Sequence, residues 1–195
     1  GTPSVERMAR AEEIAEQRGL VVVRPLDHHH IIAGQGTVGL EIAREWPDVD
    51  LVLAPIGGGG LASGIAAAVK RLLPSAQIIG VEPKGAASMR KALDEGHPAI
   101  LDDIDTIADG LAPVIAGELT YEHASELMED VVTVDDDAIR EATSWLVSRR
   151  KLVVEYSGAA TTAALLSKAV DVEGRAVAVV VSGGNLEPSL LAGLA

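Results

Sequence analysis

A run of four glycines is the part of this sequence whose residue types point most directly to chemistry. Gly57 to Gly60 follow the apolar stretch 51–56 and precede a helical pattern that begins at Leu61. Glycine lets the backbone turn sharply, so successive N–H groups can point to one position at the positive end of the next helix. One glycine would suffice for a turn without a ligand, and each further glycine costs conformational entropy. The run therefore predicts an anion site, with phosphate as its natural ligand.

The glycine run alone leaves the identity of the phosphorylated ligand open. A nucleotide P-loop is excluded, because no Gly-Lys-Ser/Thr follows the run. A dinucleotide such as NAD fits, since Gly57, Gly59 and Ala62 match the Gly-x-Gly-x-x-Ala fingerprint. Glu82 lies twenty residues after Ala62, where a ribose-binding acid belongs. A dinucleotide-binding Rossmann domain and a non-catalytic ligand-binding module are therefore alternatives to a cofactor-dependent enzyme.

Two further glycine-rich segments carry polar side chains. Segment 182–185, Ser-Gly-Gly-Asn, directly follows the apolar run 176–181, and segment 32–41 contains Ala-Gly-Gln-Gly-Thr. In α/β proteins ligands bind at the carboxyl ends of parallel strands. We therefore expect Ser182 to bring its hydroxyl to the same sheet edge as the glycine run.

These segments are positioned by an alternation of short apolar runs with longer helical patterns. The runs are nearly continuous in Val, Ile, Leu and Ala, as in strands covered on both faces of a parallel sheet. Predicted strands are residues 20–24, 51–56, 77–82, 131–134 and 175–181, and predicted helices are 4–18, 36–45, 61–73, 135–149 and 157–168. The pattern predicts an α/β fold with a mostly parallel, doubly wound sheet.

The composition narrows the classes of partner. A formal net charge of −13 disfavours nucleic acid and anionic membranes, and the absence of cysteine excludes disulfides and thiolate chemistry. No apolar run approaches the roughly 20 residues of a membrane span. We therefore expect a cytoplasmic protein that acts on a small molecule.

Five segments in order, 32–41, 55–64, 106–111, 151–159 and 182–185, resemble the signatures of the fold-type-II pyridoxal-phosphate family. Its most similar members are the serine/threonine dehydratases and serine racemase, and the resemblance spans nearly the whole chain. It implies deamination of serine, threonine or a related β-hydroxy amino acid by β-elimination, to a 2-oxo acid and ammonia. Amino-acid racemisation is the alternative within the family, and a homodimer is the implied assembly.

The resemblance also implies roles for single residues. The cofactor phosphate would bind the backbone N–H groups of the glycine run, and a hydroxyl would hydrogen-bond the pyridine nitrogen. A further backbone segment would line the ring, and one carboxylate would lie near the active site. The hydroxyl is that of Ser182, the backbone segment contains Gly110, and the carboxylate is that of Glu155. The phosphate-binding N–H groups are those of Gly57, Gly58, Gly59, Gly60 and Leu61.

A divalent cation site occurs in some members of this family, formed by a Glu, an Ala carbonyl and an Asp. Glu82 and Ala86 match the first two ligands, but Ser88 stands where the Asp is expected. Losing a charged oxygen ligand weakens a site for a hard cation.

The His28-His29-His30 run is predicted to be a solvated loop, since three consecutive loop residues cannot all face one ion.

The lysine that attaches the cofactor in this family lies in a Ser-x-Lys segment upstream of the glycine run. All five lysines of this sequence follow that run: Lys70, Lys84, Lys91, Lys151 and Lys168. The resemblance implies that residues 1–27 are the end of a smaller domain and that 28–195 are most of the large cofactor-binding domain. The partner would be the amino-terminal half of the same enzyme, and we expect the isolated chain to be inactive.

Overall fold

Four parallel strands and eight α-helices make up the described part of the chain. The computed structural model describes residues 4–191, with the side chains of residues 6–190. The strands are β1 Leu51–Pro55, β2 Gln77–Pro83, β3 Asp130–Val134 and β4 Val177–Val179. The helices are α1 Ser4–Arg18, α2 His29–Glu45, α3 Gly60–Leu72, α4 Ser88–Glu95, α5 Glu118–Leu127, α6 Asp136–Trp145, α7 Tyr156–Leu166 and α8 Pro188–Leu191. Single turns of 3₁₀-helix lie at Lys84–Ala86 and Asp109–Leu111, and a π-helical turn at Leu146–Arg150 extends α6.

The strand order of the sheet is β3-β2-β1-β4, and every neighbouring pair is parallel. Leu51 of β1 pairs with Gln77 of β2 on one side and with Val177 of β4 on the other. All strands therefore end at the same edge of the sheet. Because β1 and β4 are neighbours, the glycine run after β1 and the Ser182 segment after β4 leave the sheet side by side.

Helices cover both faces of the sheet. Val52 and Ala54 of β1 pack in one buried cluster with α3, while Leu51 and Leu53 pack in a second cluster with Ala160 of α7. Successive side chains of a strand point to opposite faces, so β1 contributes to both cores. The predicted α/β, doubly wound parallel fold is confirmed.

The close contact of α2 with α3 depends on glycines of both helices. A Cβ on Gly64 would lie 2.4 Å from the carbonyl oxygen of Ile32, and one on Gly39 would lie 2.7 Å from that of Ile65. Most of the glycine-rich segment 32–41 therefore serves helix packing, although Gln35 lines the cavity described below. Helix α2 begins at His29, not at residue 36, so the prediction of a loop for the histidines was wrong. His28 is its N-cap, and all three histidines are exposed.

The predicted strand 20–24 was also wrong. These residues belong to no helix or strand, and Val21 and Val23 are 89% and 79% exposed. A run of β-branched residues favours extended backbone, yet a strand also needs a neighbour to satisfy its N–H and C=O groups. Three helices, α4, α5 and the short α8, were not predicted, and the strand predicted at 175–181 is the shorter β4. Within the described residues, every helix is too short or too polar to cross a bilayer.

Candidate functional site

Every residue predicted to bind the cofactor lines one cavity, at the carboxyl ends of β1 and β4. Its volume is about 490 Å³, within the range of roughly 300–1,000 Å³ that small-molecule sites occupy. The predicted residues in its walls come from four separate segments of the sequence. The predicted residues that line it are Gly57, Gly58, Gly59, Gly60, Leu61, Gly110, Glu155 and Ser182.

The glycine run forms one wall and leads into α3. Gly59 is the N-cap residue of α3 with a left-handed backbone (φ 89°), and no side chain caps this helix. The first N–H groups of a helix have no partner within it, so an anion is well placed there. Thr120 Oγ1 donates to the carbonyl oxygen of Gly58 at 2.8 Å, which fixes the turn from its outer side. The wall therefore fits a phosphate group.

The segment around Gly110 also lines the cavity, next to Gly57, and two hydrogen bonds hold it. The Gly110 N–H donates to Ser157 Oγ at 2.8 Å and to Asp109 Oδ1 at 2.9 Å. Thr106 Oγ1 donates to Asp136 Oδ1 at 2.6 Å, which ties the start of the segment to α6. Ser157 is buried in the first turn of α7. Ser157 and Asp136 were missed in the sequence, because only their place in the fold brings them to this segment.

The turn that carries Ser182 is fixed from α7. The Glu155 carboxylate accepts the N–H of Asn185 at 2.9 Å, and the Glu155 N–H donates to the Gly183 carbonyl oxygen at 3.3 Å. A Cβ on Gly158 would lie 2.0 Å from the carbonyl oxygen of Ser182. The Ser182 hydroxyl makes no hydrogen bond with another described residue. Ser182 is thus held in place by its backbone, and its hydroxyl is available to a ligand.

The residues of the predicted cation site do not fit a divalent metal. Glu82 is fully buried, and its two carboxylate oxygens accept the N–H groups of Met89 and Arg90, each at 2.8 Å. Ala86 is buried beside it, and the Ser88 hydroxyl is buried without a hydrogen-bond partner. Over the described residues, no cluster of three or more His, Asp or Glu side chains could hold a metal ion. Glu82 instead caps the first turn of α4.

The same contacts remove the argument for a dinucleotide. A ribose-binding acid must offer a free carboxylate oxygen to the sugar hydroxyls. Both oxygens of Glu82 are bonded to the backbone of α4 in the protein interior. The capping of α4 therefore explains why a glutamate stands at position 82, and the match to a dinucleotide fingerprint is not needed to explain it.

A pH dependence of stability follows from this buried acid. Burial raises the pKa of Glu82 from 4.5 to about 7, although the N–H groups of Met89 and Arg90 act in the opposite direction. A carboxyl whose pKa is raised on folding stabilises the fold below the unfolded pKa, and this stabilisation is lost as the pH rises through the folded pKa. We expect Glu82 to lower the free energy of unfolding by up to roughly 3 kcal/mol between about pH 4.5 and 7.

Replacing Glu82 with Gln in the full-length protein should flatten this slope. The variant leaves one N–H without an acceptor and should be about 1 kcal/mol less stable than the wild type near pH 5. Because only the wild type loses stability as the pH rises, the difference should reverse at higher pH, so the readout is the slope and not the absolute stability. Denaturant unfolding at several values between pH 5 and 8 measures it. If the free energy of unfolding changes with pH in the same way for the two proteins, the assignment of the slope to Glu82 is contradicted.

The comparison with protein families supports the chemistry of the cavity. A family model described as pyridoxal-phosphate dependent enzyme matches residues 1–183. The L-threonine ammonia-lyase of Thermotoga maritima is 40% identical over 186 residues, which cover 95% of this chain and 46% of that protein. The catabolic L-threonine dehydratase TdcB of Escherichia coli K12 is also 40% identical, over 94% of this chain and 56% of that protein.

Solved structures show the same fold. Maize serine racemase superposes with a TM-score of 0.90 at 37% identity, covering 96% of this chain and 58% of that chain. The processed form of threonine deaminase isoform 2 from Solanum lycopersicum gives a TM-score of 0.88, also at 37% identity, covering 95% of this chain and 55% of that chain. The chain thus spans about half the length of the relatives it matches.

Proposed function

This chain belongs to the family of pyridoxal-phosphate-dependent enzymes, and on that basis we propose that it is the cofactor-binding part of an ammonia-lyase. The proposed reaction is β-elimination, which converts threonine, serine or a related β-hydroxy amino acid to a 2-oxo acid and ammonia. Relatives named L-threonine ammonia-lyase and L-threonine dehydratase support it. The likeness to a serine racemase makes racemisation the second candidate.

The observation that carries this proposal is the meeting of three segments in one cavity. The glycine run at the start of α3, Gly110 and Ser182 lie far apart in the sequence, yet they line the same space. A backbone anion site, a wall of backbone and a free hydroxyl are the groups that a phosphorylated pyridine needs. The residues present therefore fit the cofactor.

We assign the phosphate to the backbone N–H groups of Gly57, Gly58, Gly59, Gly60 and Leu61, and the ring to the wall at Gly110. We assign the pyridine nitrogen to the hydroxyl of Ser182. Glu155 would act by holding the turn that carries Ser182, through the N–H of Asn185. A direct catalytic role of Glu155 stays a prediction from the sequence.

When bound, pyridoxal phosphate withdraws electrons from the Cα of the amino acid attached to it and weakens the Cα–H bond. Ser182 offers a neutral hydroxyl to the ring nitrogen, whereas a carboxylate would stabilise a proton there. This choice limits how strongly the ring can withdraw electrons. It suits β-elimination, because departure of the β-hydroxyl group removes the charge that develops at Cα.

The domain boundary and the assembly belong to the same proposal. We assign residues 1–27 to the end of a smaller domain and 28–195 to the large one; of these, 1–3 and 192–195 lie outside the described residues. The exposed Val21 and Val23 support burial of segment 20–24 against another part of the full-length protein. A homodimer in the cytoplasm remains a prediction from the sequence.

Product analysis on the full-length protein tests the reaction. With threonine and with serine, we expect equal amounts of 2-oxo acid and ammonia. Formation of the D-amino acid without any 2-oxo acid would favour the racemase instead. Calorimetry with NAD and with pyridoxal phosphate tests the cofactor, and micromolar binding of NAD alone would overturn the proposal.

We also predict that the lysine that attaches the cofactor lies outside Gly1–Ala195. None of the five lysines named above, all within the described residues, lines the cavity. Lys70, at the far end of α3, is roughly 15 Å from the glycine run by the helical rise and forms an ion pair with Glu129. Borohydride reduction of the full-length protein with its cofactor, followed by peptide mapping, should yield one modified lysine outside this chain. The isolated chain should give no stoichiometric adduct, and a one-to-one adduct on Lys70 would contradict the prediction.

A further inference from the structure

Asp27, at the junction between segment 20–24 and α2, adopts a backbone conformation that few residues tolerate. Its φ is +54°, in the left-handed region that Asp and Asn enter more readily than most other side chains. Its Oδ1 accepts the N–H groups of Leu119 at 2.8 Å and Thr120 at 3.3 Å, in the first turn of α5. The N-cap residue of α5 is Gly117, which has no side chain to offer. Asp27 therefore caps a helix that lies about ninety residues further along the chain.

Gly117 is what allows this approach. A Cβ on Gly117 would lie 2.2 Å from Cγ of Asp27. Any larger residue would push the carboxylate away from the start of α5. The capping contact is therefore built from both sides, by an Asp that accepts a left-handed backbone and by a glycine that makes room for it.

Leu26, the neighbour of Asp27, packs against the glycine run. A Cβ on Gly58 would lie 2.2 Å from Cδ2 of Leu26, and Leu26 lines the cavity. Thr120, whose N–H binds Asp27, donates its hydroxyl to the Gly58 carbonyl oxygen at 2.8 Å. Asp27 thus contacts Thr120, Thr120 contacts Gly58, and Gly58 contacts Leu26, which is the chain neighbour of Asp27.

We propose that Asp27 is a positioning residue for the cavity: by capping α5 it holds Leu26 and the turn at Gly58 in the arrangement that receives the anionic group. Asp27 itself does not line the cavity. It acts on the glycine run through Thr120 and Leu26, and it connects segment 20–24 to that run. The identity of the ligand rests on the proposed function, whereas the capping contact does not.

Two substitutions separate the carboxylate from the backbone strain. Asp27→Gly removes the acceptor but adopts a positive φ without steric strain, and Asp27→Asn keeps a side-chain oxygen and also tolerates this φ. In the full-length protein, two quantities are measured for each variant. They are the amide hydrogen-exchange rates of Leu119 and Thr120 in the cofactor-free form, and the affinities for pyridoxal phosphate and for inorganic phosphate.

For Asp27→Gly we expect exchange at both amides to rise about tenfold and both affinities to fall about tenfold, as loss of a cap implies. Asp27→Asn should stay within about twofold of the wild type in both measurements, because its amide oxygen can replace the carboxylate.

Three results would overturn the proposal. Unchanged exchange in Asp27→Gly would show that the cap does not exist in solution. Faster exchange with unchanged affinities would reduce Asp27 to a cap without influence on the cavity. Asp27→Asn behaving like Asp27→Gly would contradict the hydrogen-bond explanation. Failure of the proposed function is seen separately, as a wild-type protein that binds inorganic phosphate but not pyridoxal phosphate. In that case the phosphate affinities of the variants decide the positioning role.

Discussion

Replacing Gly58 with Asp in the full-length enzyme is expected to lower the affinity for pyridoxal phosphate more than about a hundredfold. Two effects add. A Cβ at this position meets Cδ2 of Leu26 at 2.2 Å, so the turn or the leucine must move. Under the proposed assignment the new carboxylate would also stand beside the phosphate, and two negative charges about 5 Å apart repel by roughly 3 kcal/mol at an effective dielectric constant of ~20. Cofactor titration of the apoenzyme measures the loss.

The steric and electrostatic parts can be separated with a second pair of variants. Gly58→Ala carries the clash without the charge, and Leu26→Ala removes the atom that is met. The double variant should therefore bind the cofactor better than Gly58→Ala alone, whereas Leu26→Ala should not rescue Gly58→Asp fully. If Gly58→Asp keeps its full cofactor content, the phosphate does not bind at this turn and the assignment fails.

Gly158→Ala is expected to destabilise the full-length protein by about 3 kcal/mol and to weaken cofactor binding as well. The added Cβ would lie 2.0 Å from the carbonyl oxygen of Ser182 and 2.7 Å from that of Gly183. These are backbone atoms, which cannot rotate away as the end of a long side chain can. The turn must shift as a unit, and the Ser182 hydroxyl shifts with it. Thermal or denaturant unfolding gives the stability, and titration gives the affinity.

Gly34→Ala is the matched control for this prediction. Gly34 lies in α2, and a Cβ there would meet no atom within 4 Å. Alanine in an open helical position should raise the free energy of unfolding by about 0.5–1 kcal/mol. Equal stabilities for Gly158→Ala and the wild type would mean that α7 and the Ser182 turn are further apart than described.

The central strands and the site were predictable because their signals are local. The apolar run 51–56 indicates a buried strand, and the glycine run directly after it indicates a turn. The rule that parallel strands end at one edge then predicts that Ser182 comes near Gly58. The meeting of these residues in one cavity agrees with that expectation.

What could not be predicted depends on residues distant in the sequence. Helix α5 has no local cap, because Asp27 supplies it, and the first turn of α4 is capped by Glu82 of β2. Helix α5 therefore lacks the Ser, Thr, Asp or Asn that marks a helix start in a sequence, and α4 has Ala87 at its N-cap position, with Ser88 already inside the helix. Segment 20–24 has the reverse problem, since its composition favours a strand and no described strand pairs with it.

The place of β4 at the end of the sheet has a consequence for handling the chain. One side of β4 pairs with β1, and no described strand pairs with its other side. The surrounding run 176–181, Ala-Val-Ala-Val-Val-Val, is uncharged, free of proline and rich in valine. An open edge of this composition is a template for intermolecular strand addition and for aggregation. We therefore expect this edge to limit the solubility of the separately expressed chain, and a charged residue on its exposed side to raise that solubility.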